Sequence, residues 1–207
     1  RGLVQATGAR ACDLGVVPDD LAATRAALRA AAEQHDLIIT SGGVSVGEED
    51  HLRNAVLAEG GLDFWALAIK PGKPFVFGWI HRADGSRALY MGLPGNPVAS
   101  FVTFLMLVRP VLGLLAGEGW HLPQAVSLVA DFNWPKPDKR REFLRARLNE
   151  QGRVVLHPHQ GSGVLSSAAW AEGVVDLPSG TIVRPGDAVK FISMAELVQP
   201  SISARQP

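Results

Sequence analysis

The sequence contains a single cysteine, Cys12, among its 207 residues. One cysteine excludes an intrachain disulfide framework and a zinc site built from several cysteines. Because a lone cysteine usually behaves as a small apolar residue, we expect Cys12 to lie in the core. The sequence also lacks net charge, with 20 lysines and arginines against 20 aspartates and glutamates. Since nucleic-acid-binding chains usually carry an excess of basic residues, this balance disfavours a nucleic-acid partner.

Long apolar runs are also scarce, and none reaches the roughly 18 residues typical of a membrane span. The longest apolar stretch, residues 98–108, contains Ser100 and Thr103 and is followed by Arg109 and Pro110. This stretch predicts a buried helix and disfavours a membrane partner. No signal-peptide pattern is visible at the start. Because the sequence also lacks an initiator methionine, we expect it to be a piece of a longer protein.

The first part of the chain, residues 1–117, alternates between helical and strand patterns, which is typical of an α/β domain. Asp19 or Asp20 is expected to cap the first long helix. The pair Asp84-Gly85 predicts a hairpin turn. The predicted helices span residues 21–34, 51–59 and 98–115, and the predicted strands span 36–40, 75–80 and 87–91.

From about residue 120 the pattern changes to short β-like runs separated by glycine and proline. This pattern predicts a small all-β domain over residues 120–207, built as a barrel or a sandwich. A linker is expected near residues 117–123. The predicted strands span residues 125–131, 142–148, 154–157, 173–177 and 188–192.

Two glycine-rich loops each follow a predicted strand and precede a predicted helix. The first is TSGGVSVGEED at residues 40–50, and the second is GLPGNP at residues 92–97. The backbone N–H groups of such a loop and the positive end of a helix can bind phosphate. Two such loops in one sheet suggest a ligand with a phosphate and a polar ring system. A tight structural turn remains the alternative for the pair Gly42-Gly43.

Four segments in a fixed order resemble the MoeA family, the molybdopterin molybdenumtransferases, which are related to the C-terminal part of gephyrin. Several motifs in order are more specific than any single glycine loop. Residues 1–117 look like the family's MogA-like, three-layer α/β domain, and residues from about 120 look like its C-terminal β domain. The four segments are SGGVSVG at 41–47, Asp50, IKPGKP at 69–74 and LPGNP at 93–97.

The resemblance implies insertion of molybdate into adenylylated molybdopterin, with magnesium-dependent hydrolysis of the adenylate and release of AMP. It also implies a cytoplasmic protein that is a homodimer at full length and hands its product to molybdoenzymes. By this resemblance, we expect the family's N-terminal domains and the start of its α/β domain to be missing from this sequence. Alternatives are a MogA-like molybdopterin adenylyltransferase, a gephyrin-like binding scaffold and an inactive fragment.

The site residues are those that the resemblance implies. Asp19, Asp50, Lys70 and Lys73 are predicted to be catalytic, and the two aspartates to bind magnesium, since carboxylate oxygens suit that ion. Arg145 and Ser162 are predicted to contact molybdate or another anion. The predicted molybdopterin- and phosphate-binding residues are Ser41, Gly42, Gly43, Val44, Ser45, Gly47, Pro94, Gly95, Asn96 and Pro97.

Some of these residues have a plain structural alternative. Asp19 and Asp50 can each cap a helix, and Asn96 can do the same. Lys70 and Lys73 can be ordinary solvated side chains. One position also departs from the family pattern, because many relatives carry a basic residue where this sequence has Ala66. This departure predicts a weaker or modified anion site.

Overall fold

The computed structural model describes residues 1–42, 44 and 51–198, without the side chains of residues 64 and 65. The chain divides into two compact units. The α/β unit comprises Cys12–Leu67 and Gly72–Asn96, and the β-rich unit comprises Arg1–Ala11, Ala68–Pro71 and Pro97–Pro207. The units therefore interleave along the chain. The predicted domain bounds, 1–117 for an α/β domain and 120–207 for a β domain, remain a prediction.

The helices and strands of the described residues follow in chain order. The helices are α1 (Gly2–Ala6), α2 (Leu21–Gln34), α3 (His51–Glu59), α4 (Pro97–Thr103), α5 (Arg109–Leu115), α6 (Leu165–Trp170) and α7 (Met194–Val198). The strands are β1 (Leu37–Ser41), β2 (Gly60–Ala66), β3 (Ile69–Lys70), β4 (Pro74–His81), β5 (Arg87–Leu93), β6 (Val126–Val129), β7 (Arg141–Leu148), β8 (Val154–Leu156), β9 (Gly173–Leu177) and β10 (Ala188–Ser193).

The α/β unit contains a four-stranded sheet in the order β1-β5-β4-β2. Strands β1 and β5 are parallel, and β4 is antiparallel to both of its neighbours. Apolar side chains of α2 and α3, including Leu28 and Val56, pack with Ile38, Val76 and Tyr90 of the sheet. The predicted α/β character of this region is confirmed. A mixed sheet results because β4 and β5 form a hairpin.

The turn of this hairpin follows the predicted Asp-Gly chemistry. Gly85 has a φ of 83°, a left-handed conformation that glycine adopts without strain. Asp84 accepts a hydrogen bond from the Ser86 N–H at 2.8 Å. Arg82 N–H donates to the Ser86 carbonyl and so closes the hairpin.

The β-rich unit contains a sheet in the order β3-β7-β9-β10-β6, with β8 paired to β7. The predicted β character of this region is confirmed. Within the described residues, however, the strand path does not close into a barrel, since β3 and β6 are its two ends. The short helices α6 and α7 were also not predicted. The core of the sheet is formed by Ala130, Leu144, Ala146, Val154, Val175, Leu177, Val183, Val189 and Phe191.

A helix of 19 residues, Pro97–Leu115, belongs to the β-rich unit and includes a π-helical stretch, Phe104–Val108, between α4 and α5. By length and mean hydropathy, 2.1, it reaches the range of a membrane span, which the sequence pattern did not predict. One such helix is weak evidence, because buried core helices satisfy the same criterion. Val98, Val102, Leu105 and Val108 are fully buried, as predicted for a core helix.

Cys12 is exposed, which corrects the expectation that it lies in the core. The residues around it, 13–19, are also exposed and belong to no helix or strand. Its small apolar side chain therefore has no packing role in the described structure.

Candidate functional site

The starts of the two glycine-rich loops lie side by side because they follow β1 and β5, which are parallel neighbours. The last residues of these two strands, Ser41 and Leu93, are paired in register, so the chain leaves both strands at the same edge of the sheet. Gly42 N–H donates to the Leu93 carbonyl at 3.1 Å. Ser41 Oγ donates to the Pro94 carbonyl at 3.4 Å. The structure thus brings Ser41, Gly42, Pro94 and Gly95 together, at the edge where ligands bind in α/β sheets.

Close packing holds the starts of the two loops next to each other. A Cβ placed on Gly92 would lie 2.6 Å from Val44 Cγ1 and 3.2 Å from Tyr90 Oη. A Cβ on Gly95 would lie 3.6 Å from the Gly42 Cα, which is an ordinary contact. Val44 is buried. It therefore packs against the second loop, and its side chain has a structural role beside its predicted ligand contact.

Several predicted site residues lie outside the described residues. These are Gly43, Ser45, Gly47 and Asp50. Their predicted contacts with molybdopterin, and for Asp50 with magnesium, remain predictions.

The two neighbouring aspartates before α2 have different roles. Asp20 is the N-cap, and its carboxylate accepts a hydrogen bond from the Ala23 N–H at 2.8 Å. Asp19 is exposed and does not cap the helix. Capping is thereby removed as the alternative explanation for Asp19. Among the residues that the structure describes, no group of three or more His, Cys, Asp or Glu side chains could hold a metal ion.

The β-rich unit contains a cavity of about 260 Å³ beside strand β7. Its lining contains two cationic side chains (Lys70 and Arg145), one carboxylate (Glu142), one amide (Gln160) and the aromatic ring of Trp134. Its charged lining therefore has a cationic surplus. The lining residues are Lys70, Pro71, Trp134, Glu142, Leu144, Arg145, Gln160 and Gly161.

Arg145 is a fully buried cation in the wall of this cavity. Its guanidinium donates from Nε to Ser167 Oγ at 3.2 Å, from one terminal nitrogen to the Phe143 carbonyl at 3.2 Å, and from the other to the Gly161 carbonyl at 3.3 Å. A guanidinium has five N–H groups, so two have no acceptor within the described residues. No described carboxylate forms an ion pair with Arg145. Burial lowers the pKa of Arg145 to about 10.

Lys70 is held differently, by two carboxylates. Its Nζ lies 3.2 Å from Glu142 Oε1 and 3.3 Å from Asp138 Oδ2. Asp138 also accepts two hydrogen bonds from the Arg140 guanidinium, each at 2.9 Å. These contacts, with Arg140 contributing most and Lys70 less, hold the pKa of Asp138 well below its usual 3.8. The charge of Lys70 is therefore partly balanced, whereas that of Arg145 is not.

The loop after β8 closes one side of the cavity. The side-chain amide of Gln160 accepts a hydrogen bond from the backbone N–H of Arg145 at 2.9 Å and donates to the backbone carbonyls of Arg145 and His157. The Ser162 carbonyl in this loop accepts from the Val98 N–H at 3.1 Å. Ser162 and the start of α4 at Pro97 are therefore brought together in this unit.

The remaining predicted residues occupy exposed positions. Lys73 and Asn96 are exposed in the α/β unit, whereas Lys70 belongs to the β-rich unit. Ala66 is exposed at the end of β2, where it pairs with Pro74. The pattern KPGK therefore places its two lysines in different compact units.

Sequence reasoning missed most of the polar residues around Arg145. Glu142 and Gln160 lie close in sequence to the predicted residues Arg145 and Ser162, but no pattern singled them out. Ser167 gave no signal, because it lies in a short helix that no pattern predicted. Trp134 also gave no signal in the sequence, although its indole N–H donates to Glu142 Oε2 at 2.9 Å.

Comparison with protein families gives two matches along the chain. Residues 1–113 match the family described as the probable molybdopterin binding domain. Residues 127–194 match the MoeA C-terminal region, domain IV.

Related proteins support the same assignment. A molybdopterin molybdenumtransferase of Haemophilus influenzae is 43% identical over 160 residues, which are 75% of this chain and 38% of that protein. One from Nostoc sp. is 30% identical over 200 residues, 93% of this chain and 45% of that protein. The structure of a molybdenum cofactor biosynthesis protein from Pyrococcus furiosus has a TM-score of 0.72 at 25% identity, covering 93% of this chain and 61% of that one.

The chain spans less than half the length of these two curated relatives. The resemblance to the C-terminal portion of MoeA proteins that the sequence motifs predicted is confirmed, as is the order of an α/β region and a β-rich region. The family of the first region is established by a match to more than half of the chain. This chain therefore belongs to the molybdopterin-binding-domain family, and it continues into a region of the MoeA C-terminal type.

Proposed function

We propose that this chain acts in molybdenum cofactor biosynthesis, in the insertion of molybdate into adenylylated molybdopterin. The paired loops of the α/β unit would bind the pterin phosphate. The cavity of the β-rich unit would bind molybdate. Overall, water cleaves the phosphoanhydride, AMP leaves, and the pterin keeps its terminal phosphate and receives the metal.

One observation carries the molybdate assignment, namely the buried charge of Arg145. A buried cation without a carboxylate partner is costly unless an anion or several hydrogen bonds compensate it. Arg145 has three hydrogen bonds and two N–H groups left over. Guanidinium groups bind oxyanions through such paired donors. A tetrahedral dianion beside Arg145 and Lys70 would supply the missing acceptors and the missing charge.

The loop assignment is supported by the backbone at the sheet edge. Gly42 has a φ of 87°, so a glycine is favoured at the point where the first loop leaves β1. The second loop follows β5 directly beside it. Peptide N–H groups at such an edge suit a phosphate. Ser41 adds a hydroxyl, and Asn96 adds an amide that can donate hydrogen bonds to a polar ring and accept them from it.

The match to the MoeA C-terminal region favours insertion over adenylylation, because adenylyltransferases of the MogA type consist of the α/β domain alone. Lys70, Lys73 and Arg145 would balance the charge of the oxyanion and phosphates. No covalent nucleophile is needed in this scheme, since electrostatic placement can lower the barrier of the hydrolysis.

In this proposal, Asp19 and Asp50 are the residues that would bind magnesium. Carboxylate oxygens suit this ion and it would neutralise phosphate charge. The described residues contain no metal-binding cluster around Asp19, and Asp50 is not described. No step is therefore assigned to the ion.

The test is AMP release from adenylylated molybdopterin by the purified chain with molybdate and magnesium chloride, followed by chromatography. We expect molybdate-dependent release that is lost in Arg145→Met. Isothermal titration with sodium molybdate alone tests the anion cavity separately. Release without any dependence on molybdate, or unchanged molybdate binding by Arg145→Met, would contradict the assignment.

Dimerisation, handover of the product to molybdoenzymes and a cytoplasmic location belong to the same proposal. Analytical ultracentrifugation of this chain would test the first. A pull-down with a cofactor-free molybdoenzyme would test the second, and fractionation of cells would test the third.

A further inference from the structure

Three of the four arginines in strand β7 or directly before it differ in how they are held. Arg141 makes two hydrogen bonds to the carboxylate of Asp176, at 2.6 and 2.5 Å. Arg140 makes two to the carboxylate of Asp138, both at 2.9 Å. Arg145, the most buried of the three, is instead held by a serine hydroxyl and two backbone carbonyls. Only neutral groups therefore orient the guanidinium of this cavity-lining residue.

Ser167 is placed to act as an acceptor and not as a donor towards Arg145. It is fully buried in α6, and its hydroxyl proton is donated to the Val164 carbonyl at 2.6 Å. Its oxygen is thus available to the Arg145 Nε–H at 3.2 Å. A serine in this bonding state fixes the plane of the guanidinium without neutralising it. A carboxylate at the same place would do both.

We propose that Ser167 is a positioning residue that orients Arg145 for anion binding while leaving its positive charge available. This inference rests on the proposed binding of an oxyanion at Arg145. It adds that the neutrality of the acceptor, and not only its hydrogen bond, determines the affinity of the cavity.

The experiment measures the binding of sodium molybdate to the full 207-residue chain by isothermal titration, with far-UV circular dichroism as the check on folding. Ser167→Ala removes the acceptor, and we expect affinity to fall about threefold to tenfold. Ser167→Asn and Ser167→Asp are nearly equal in shape and differ in charge. Ser167→Asp should bind more than about tenfold more weakly than Ser167→Asn, because its carboxylate pairs with the guanidinium.

Ser166 offers a matched control, since it is the exposed neighbour of Ser167 in the same helix. Ser166→Ala and Ser166→Asp make the same chemical changes one residue away, and both should bind molybdate like the unchanged chain. A purely structural role of Ser167 would lower folding stability in all three variants without separating the affinities of Asn and Asp.

Equal affinities for Ser167→Asn and Ser167→Asp would overturn the inference, as would unchanged affinity in Ser167→Ala. The alanine variant is the smallest change and decides the question if the larger side chains unfold the protein. Loss of molybdate binding in Arg145→Met together with normal binding in every Ser167 variant would leave the proposed function intact and remove only this inference. Absence of molybdate binding by the unchanged chain would remove both.

Discussion

The Nζ of Lys70 lies 3.2 Å from Oε1 of Glu142, a carboxylate that is only 1% exposed. The other oxygen of Glu142 accepts hydrogen bonds from the Trp134 indole at 2.9 Å and from the Asp138 N–H at 3.0 Å. Through these contacts, Glu142 of strand β7 connects Lys70 of β3 with Trp134 and Asp138 of the segment between β6 and β7. Glu142 thereby fixes both a wall of the cavity and the direction of Lys70.

Replacement of Glu142 should therefore weaken the β-rich unit in a way that depends on the substitute. Glu142→Leu leaves the Trp134 indole and the Asp138 N–H without this acceptor and removes one of the two carboxylates that contact Lys70, so it should lower the free energy of unfolding by about 3 kcal/mol. Glu142→Gln keeps an acceptor and should cost about 1 kcal/mol. Urea unfolding measures both, with Glu150→Gln at an exposed turn as the control. Equal losses for Leu and Gln would show that the hydrogen bonds of Glu142 contribute nothing.

Replacement of Arg145 should separate binding from stability. The pKa of Arg145 is lowered to about 10 by burial, so folding disfavours its charged form. Arg145→Met removes that cost together with three hydrogen bonds, and we expect unfolding free energy to change by no more than about 1 to 2 kcal/mol. Molybdate affinity should fall at least about tenfold. Arg147→Met, at an exposed position of the same strand, should leave the affinity unchanged; an equal loss there would indicate a general charge effect.

The ion cluster of Lys70, Asp138 and Arg140 should give the stability a specific pH dependence. The pKa of Asp138 is held below 3.8, chiefly by Arg140. A carboxylate with a lowered pKa in the folded state stabilises the protein above its unfolded pKa, and this contribution is lost as the pH falls below 3.8. The stability difference between the unchanged chain and Asp138→Asn should be constant from pH 5 to 7 and shrink in more acid solution. Urea midpoints across this range measure it. A difference that persists unchanged in acid would exclude the ionic contribution.

The packing between the two glycine-rich loops predicts a contrast between neighbouring glycines. Gly92→Ala places a methyl group 2.6 Å from Val44 Cγ1 and should cost about 1 to 3 kcal/mol. Gly95→Ala makes only an ordinary contact and should leave stability nearly unchanged. The double variant Gly92→Ala with Val44→Ala should recover part of the loss. Thermal unfolding compares the three. Similar melting temperatures for the two glycine variants would contradict the close packing.

The two aspartates before α2 should also behave differently. Asp20→Ala removes the N-cap and should lower the free energy of unfolding by about 1 kcal/mol. Asp19→Ala should leave it unchanged, because Asp19 does not cap the helix. Denaturant unfolding of both variants gives the comparison. A destabilising effect of Asp19→Ala would assign it a structural role and weaken its assignment to the ligand site.

Much of the fold follows from local patterns. The helix Leu21–Gln34 has the predicted bounds because Asp20 and an alanine-rich stretch define it, and the strand Gly173–Leu177 is bounded by turn residues as predicted. The hairpin at Asp84-Gly85 is confirmed for the same reason. Such elements depend on signals within a few residues, which a single sequence contains.

The surroundings of Arg145 depend on contacts that no local pattern records. Its neighbours Gln160 and Ser167 lie in a loop and a short helix, and their roles arise from tertiary hydrogen bonds. Whether the sheet of the β-rich unit is open or closed into a barrel also could not be predicted, since the order of strand pairing depends on long-range packing. The motifs identified Arg145 as a basic residue of interest, but its burial and its lack of a carboxylate partner required the structure.

The parallel pairing of β1 with β5 also determines when the paired loops can form. Strands β4 and β5 are joined by a short turn and can pair locally, whereas β1 is separated from β5 by α3, β2, β3 and β4. Long-range parallel pairing is slow relative to hairpin closure. During synthesis, the loop after β1 emerges from the ribosome well before its partner exists. This edge of the sheet is therefore assembled late, and a nascent chain acquires it only when β5 has been made.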